Sequence, residues 1–137
     1  MTKKTERVLI VDDDEGMLEA LGGLLESEGY EVETARNGRE AIERLARPPA
    51  PGVILLDLKM PVMDGWQFLA ARSAQSIAPG VPVVLLSGLA FIPNAPGVAD
   101  FLTKPIDPTR LLACVRRFCG EPARNGKGDR ARREHRT

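Results

Sequence analysis

At 137 residues, with nineteen basic and nineteen acidic side chains and no net charge, the chain has the size of one domain with a core of its own. It lacks the charge excess of a dedicated nucleic-acid or membrane surface. The one histidine, His135, stands near the C-terminus, so the body can hold neither a Ser-His-Asp or Cys-His triad nor a histidine-based metal cluster.

Charge is unevenly placed. From Glu121 onward there are six Lys/Arg against three Asp/Glu, which leaves thirteen against sixteen in residues 1–120. Lys3-Lys4 precedes an apolar run, Val8 to Val11, too short for a signal-peptide core, and no stretch approaches a transmembrane span. Cys114 and Cys119 fall five apart in one expected helix, about 140° around its axis. They are expected on different faces and unbridged, as in a reducing cytoplasm.

In chain order, Arg7 to Val11 reads as a buried strand ending at Asp12-Asp13-Asp14. Met17, Leu18, Leu21, Leu24 and Leu25 then follow the spacing of a helix with one buried face, and Asp13 or Asp14 can cap it. Gly22-Gly23 costs that helix up to about 1 kcal/mol each, which suggests a close packing contact there. Tyr30 to Ala35 alternates like a short strand. Asn37-Gly38 turns into a helix carrying Ala41, Ile42 and Leu45, stopped by Pro48-Pro49.

The next stretch, GVILLDLKMPVMDG, is the most informative. Val53 to Leu56 suits a strand buried on both faces, and it delivers Asp57 as the strand ends. A carboxylate does not belong inside an apolar sheet, so Asp57 must lie at the sheet's carboxyl edge, where open α/β sheets place their ligands. Capping of the following helix, Trp66 to about Gln75, falls to Asp64. Val81 to Leu86 forms a fourth strand ending at Ser87-Gly88. Val98 to Leu102 forms a fifth, ending at Thr103-Lys104-Pro105. Asp107-Pro108 opens a last helix with proline at its first position, and Gly120 ends it. Residues 121–137 carry no apolar side chain larger than alanine apart from proline, and are expected to be a disordered basic tail. Residues 1–120 form the domain: an α/β fold with a doubly wound, five-stranded parallel sheet. The ends of the first and third strands should then lie side by side where the winding reverses.

That arrangement collects Asp12, Asp13, Asp57, Ser87 and Lys104. Clustered carboxylates repel one another unless a cation sits among them. With oxygen ligands alone, Mg²⁺ is the natural occupant. An aspartate beside it can act as a nucleophile toward phosphorus, while Lys104 and the Ser87 hydroxyl face phosphoryl oxygens.

VLIVDDD, LLDLKMPVMDG, VVLLSG and FLTKP, in that order, resemble the receiver domain of two-component response regulators over about residues 6–119. The resemblance implies a flavodoxin-like (βα)5 fold with Asp57 as phosphoacceptor. It implies Asp12, Asp13, Asp57 and the backbone carbonyl of Lys59 as ligands to Mg²⁺. Ser87 takes the place of the switch hydroxyl, Lys104 that of the phosphate-binding lysine, and Phe101 that of an aromatic switch, with plain core packing the alternative for Phe101. The Lys104-Pro105 bond is expected to be cis. The implied donor is a phosphohistidine on a sensor histidine kinase or histidine phosphotransfer protein.

The chain departs from the family between Ser87 and Lys104, only 17 positions apart. Pro93, Pro96 and Gly97 leave room for little more than one helical turn, so the family's fourth helix is shortened or absent. Leu89, Phe91 and Ile92 in that segment are expected either to cover the sheet edge or to form a partner-binding patch. The expected function is a cytoplasmic stand-alone receiver, not an enzyme, that signals through an unidentified downstream protein as a monomer or weak phosphorylation-dependent dimer. Two alternatives remain open: the receiver part of a longer regulator, and a Mg²⁺-dependent phosphatase of haloacid-dehalogenase type. The latter would use Asp12-x-Asp14 but lacks a later acidic cluster.

Overall fold

The computed structural model describes residues 6–88 and 97–122. The expectations for the proline-rich segment 89–96, including Leu89, Phe91 and Ile92, and for the tail from residue 123 onward lie outside the described residues.

Nine elements are described. They are β1 (Arg7–Val11), α1 (Glu15–Ser27), β2 (Glu31–Ala35), α2 (Gly38–Leu45), β3 (Val53–Asp57), α3 (Gly65–Gln75), β4 (Val83–Ser87), β5 (Val98–Thr103) and α4 (Pro108–Cys119). The strands form one parallel sheet in the order β2-β1-β3-β4-β5. Winding outward from β1 in both directions sets the ends of β1 and β3 together, the expected switch point.

Strand alternation divides the core into two layers. Val8, Ile10, Val53, Leu55, Val84 and Leu86 pack on one face against α1 and α4, through Leu18, Leu21, Leu25, Leu111 and Val115. Leu9, Val11, Ile54, Leu56, Val83 and Leu85 pack on the other against Ala41 and Leu45 of α2 and Phe68 and Leu69 of α3. Every residue of β3 and β4 is buried. At about 1.5–3 kcal/mol for each large apolar side chain removed from water, these central strands anchor whatever their ends carry.

Local chemistry explains the boundaries. Asp14 caps α1 by accepting from the backbone of Gly16 and Met17. Asp64 caps α3 as expected, and Gln67 completes a reciprocal capping box. β2 begins one residue later than expected because Tyr30 is committed elsewhere: its N–H bonds to Leu25 O and its hydroxyl donates to Gly120 O at 2.8 Å. β4 begins at Val83 rather than Val81, since Pro82 has no N–H to give the ladder.

Two packing expectations are corrected. Gly22 is buried against Val32, but an added Cβ would still stand 3.5 Å away, and one at Gly23 would meet nothing within 4 Å. No close contact demands either glycine. Cys114 and Cys119 are free, as expected, yet both are buried in the same core layer. The packed face of α4 is broad, and Cys119 closes its end beside the Arg7 carbonyl. Lys104-Pro105 is cis, as expected, and so is Pro48-Pro49.

No helix of the described residues is long and apolar enough to cross a membrane.

Candidate functional site

The sheet's carboxyl edge brings the acidic residues together by register alone. Val11 pairs with Leu56, so Asp12 and Asp57 follow on adjacent strands. Asp57 pairs with Leu86, which places Ser87 one step further along β4. Ser87 pairs with Thr103, and its carbonyl accepts from the Lys104 N–H at 2.7 Å. Four short strands thus deliver four candidate site side chains, Asp12, Asp57, Ser87 and Lys104, to one edge.

Their geometry is tight. Carboxylate oxygens of Asp12, Asp13 and Asp57 lie within 4.8 Å of one another. Asp12 is fully buried, Asp57 and Ser87 are buried, and Asp13 is exposed. The Lys104 ammonium stands 3.2 Å from Asp57 Oδ1, to which it donates, and 3.5 Å from Asp12 Oδ2. Asp12 Oδ1 accepts from the Asp14 backbone at 2.9 Å. Its Oδ2, though buried, receives no hydrogen bond.

The electrostatics follow from this crowding. Burial is the largest influence on Asp12 and raises its carboxyl above the usual range; the Asp57 charge adds to it, against the Asp14 amide and Lys104. Burial alone would pull the Lys104 ammonium down, but the Asp12 and Asp57 carboxylates outweigh it and hold the group above its ordinary value. One ammonium faces three carboxylates, so the cluster is short of positive charge. The orphaned Asp12 oxygen and the all-oxygen donor set together fit a hard divalent cation.

Asp57, Ser87 and Lys104 open onto a cleft of about 730 Å³. Lys59 and Gly88 line it, as do Asp64, Met60 and Trp66 from the turn and the start of α3. That turn is closed by Gly65 N–H to Leu58 O at 3.0 Å. A Cβ on Gly65 would come within 2.6 Å of the Asp57 carbonyl, so glycine is required by close approach. Within the turn, Met63 N–H bonds to Pro61 O across Val62. This γ-turn holds a β-branched residue at φ 68°, a strained arrangement.

Phe101 lies apart from the cleft. On β5 it pairs with Leu85 of β4 and is 42% exposed, so it is not a core residue. Trp66 is the residue that sequence reasoning passed over at the site, where it served only to mark the start of a helix. No local signal marks it, because it follows Gly65, whose approach to the backbone of Asp57 is a tertiary contact.

Residues 8–116 match the family described as the response regulator receiver domain. The chain belongs to that family and is a signal-receiving domain of two-component systems. It is 41% identical over 120 residues to the transcriptional regulatory protein GlrR of Escherichia coli (strain K12), an alignment covering 84% of this chain and 26% of GlrR. The chain thus spans about a quarter of that relative, and likewise about a quarter of the response regulator PleD of Caulobacter vibrioides. Among solved structures, it resembles the Vibrio cholerae chemotaxis protein CheY4, with a TM-score of 0.71 at 32% identity, covering 83% of this chain and 98% of that one. It also resembles the receiver domain of the sensor histidine kinase PA1611 from Pseudomonas aeruginosa PAO1, with a TM-score of 0.75 at 26% identity, covering 87% and 99%. That receiver was solved with a magnesium ion coordinated in its active-site cleft.

Proposed function

We propose that this receiver accepts a phosphoryl group from a phosphohistidine onto Asp57 and signals through protein contacts. The observation that carries the proposal is the pairing of a buried Asp57 with Lys104 at 3.2 Å, at the mouth of a cleft. Asp12, Asp13, Asp57 and the Lys59 carbonyl would hold Mg²⁺, which when bound supplies positive charge for the phosphoryl oxygens.

In the reaction an Asp57 carboxylate oxygen forms the new P–O bond as the P–N bond to the donor imidazole breaks. The imidazole keeps the bonding pair and takes a proton. Lys104 neutralises charge on the transferred group, and Ser87 can donate its hydroxyl to it. The chain is thereby modified once per signal rather than turning over a substrate. Gaining that hydrogen bond would draw Ser87 toward the phosphoryl group and allow the exposed Phe101 to turn inward, changing what β5 presents.

The donor is a sensor histidine kinase or histidine phosphotransfer protein, the setting cytoplasmic, and the downstream partner a protein. The phosphatase alternative is disfavoured by Asp14, whose carboxylate serves the first turn of α1. A second reading, the receiver part of a longer regulator, is favoured by GlrR and PleD, of each of which this chain spans about a quarter.

Phosphoramidate in magnesium buffer should place one phosphoryl group on the protein, and Asp57→Asn should take none while its circular dichroism stays unchanged. Stoichiometric labelling of Asp57→Asn by intact mass would overturn the assignment.

A further inference from the structure

We propose that Trp66 is a specificity-determining residue for phosphoryl transfer, its indole forming the wall on which the donor's imidazole ring rests; this builds on the reading of Asp57 as phosphoacceptor. The cleft above Asp57 measures about 730 Å³. A phosphoryl group and a cation fill only a few water volumes of about 30 Å³ each, so most of that space is left over. In-line displacement puts the leaving group on the side of phosphorus opposite the Asp57 oxygen, out in this remaining space.

The lining there is divided by character. Lys59, Asp64 and Lys104 are charged, whereas Leu58, Met60 and Trp66 are apolar. Leu58 is 5% exposed and offers little surface, whereas Trp66 is 39% exposed. Trp66 is not holding α3 in place: the buried residues of that helix are Gly65, Phe68, Leu69 and Arg72. It is one of three exposed large apolar side chains among the described residues, and of those three it alone lines the cleft.

Its position is also fixed. Gly65 is pressed on the Asp57 carbonyl without space for a Cβ, and the Asp64–Gln67 capping box closes the turn around Trp66. The backbone that bears the indole is therefore carried at a set offset from the phosphoacceptor. The imidazole of phosphohistidine is flat and aromatic; with its second nitrogen protonated it is cationic while still bonded to phosphorus, and keeping the P–N bonding pair it leaves as neutral imidazole. An indole face attracts such a ring by stacking and by cation–π interaction. Acetyl phosphate and phosphoramidate have no ring to place there.

The test compares rates of Asp57 modification by phosphoimidazole, phosphoramidate and acetyl phosphate in magnesium buffer, followed by intact mass. Trp66→Ala should slow transfer from phosphoimidazole about 2- to 10-fold relative to the two ring-free donors. Trp66→Phe should recover most of that loss, and Trp66→Leu little. An equal change with all three donors in Trp66→Ala, no change with any, or full recovery by Trp66→Leu would overturn the proposal. Failure of the parent protein to be modified by all three donors would instead bring down the phosphoacceptor reading, and this inference with it.

Discussion

Asp12 concentrates the electrostatic cost of the site. It is fully buried, raised by burial and by Asp57, and left with one unsatisfied oxygen. Asp13, exposed beside it, adds like charge to the cluster. Asp13→Ala should therefore raise the melting temperature in metal-free buffer by roughly 2–4 °C, and shrink the further rise that added Mg²⁺ produces. Thermal melts with and without Mg²⁺ check both halves, and a Mg²⁺ response equal to that of the parent would place the cation elsewhere. Asp12 and Asp57 could be read from the chain because each directly ends or follows an apolar run, and Lys104 because it stands in the FLTKP motif. Trp66 could not, since exposure of an aromatic side chain depends on what the rest of the fold leaves uncovered.

At the scale of elements, α1 carries a defect the packing does not require. Gly23 is exposed in the helix interior with open space where a methyl group would go. Gly23→Ala should stabilise the domain by up to about 1 kcal/mol, by the helix propensity difference, measured by urea denaturation. The connection from α3 to β4 behaves oppositely. Ser76 and Ala78 both take positive φ without being glycine, and the buried Arg72 guanidinium reaches across to the carbonyls of Ile77, Ala78 and Val81. Burial lowers its pKa, and those carbonyls are what make the buried charge tolerable. Arg72→Leu should cost about 3 kcal/mol or more, since it strips charge-assisted bonds from a turn already in an unfavourable conformation. A urea midpoint matching that of the parent would mean the turn holds itself.

Across the whole molecule, the end of α4 is tied to the distant turn between α1 and β2. Tyr30 donates to Gly120 O, and Pro122 is buried against Gly29, which sits at φ 101° with Pro122 2.9 Å from where a Cβ would stand. Arg116 adds ion pairs to Glu28 and Glu121. Burial, with the Glu121 charge beside it, holds the Tyr30 phenol well above its ordinary value. Above about pH 10 the unfolded chain therefore releases this proton while the folded one keeps it, so this group makes stability fall as pH rises. Tyr30→Phe should lose about 1–2 kcal/mol at pH 7, because Gly120 O loses its donor. The gap to the parent should narrow above pH 10. Urea titrations at neutral and alkaline pH test this, and a gap that does not narrow would show that the phenol ionises in the folded state.

The sequence by itself determined the strand cores, the winding and the site residues at the strand ends. Uninterrupted apolar runs can satisfy themselves only inside a parallel sheet, and a carboxylate at the end of such a run has nowhere to lie but its edge. The cap at Asp64 and the proline at the first position of α4 were legible for the same reason: they act on their own turn. Only the tertiary structure decided what depends on distant neighbours. The Tyr30 hydroxyl finds its acceptor on a carbonyl ninety residues away. Gly22 proves unconstrained because Val32 stands back from it, and Cys114 and Cys119 share a core layer because α4 packs over a broad face. Asp12 Oδ2 stays without a hydrogen bond because the only cation within 4 Å of it, Lys104 among the described residues, is directed at Asp57. Such contacts arise from the placement of several elements at once, which no local spacing encodes.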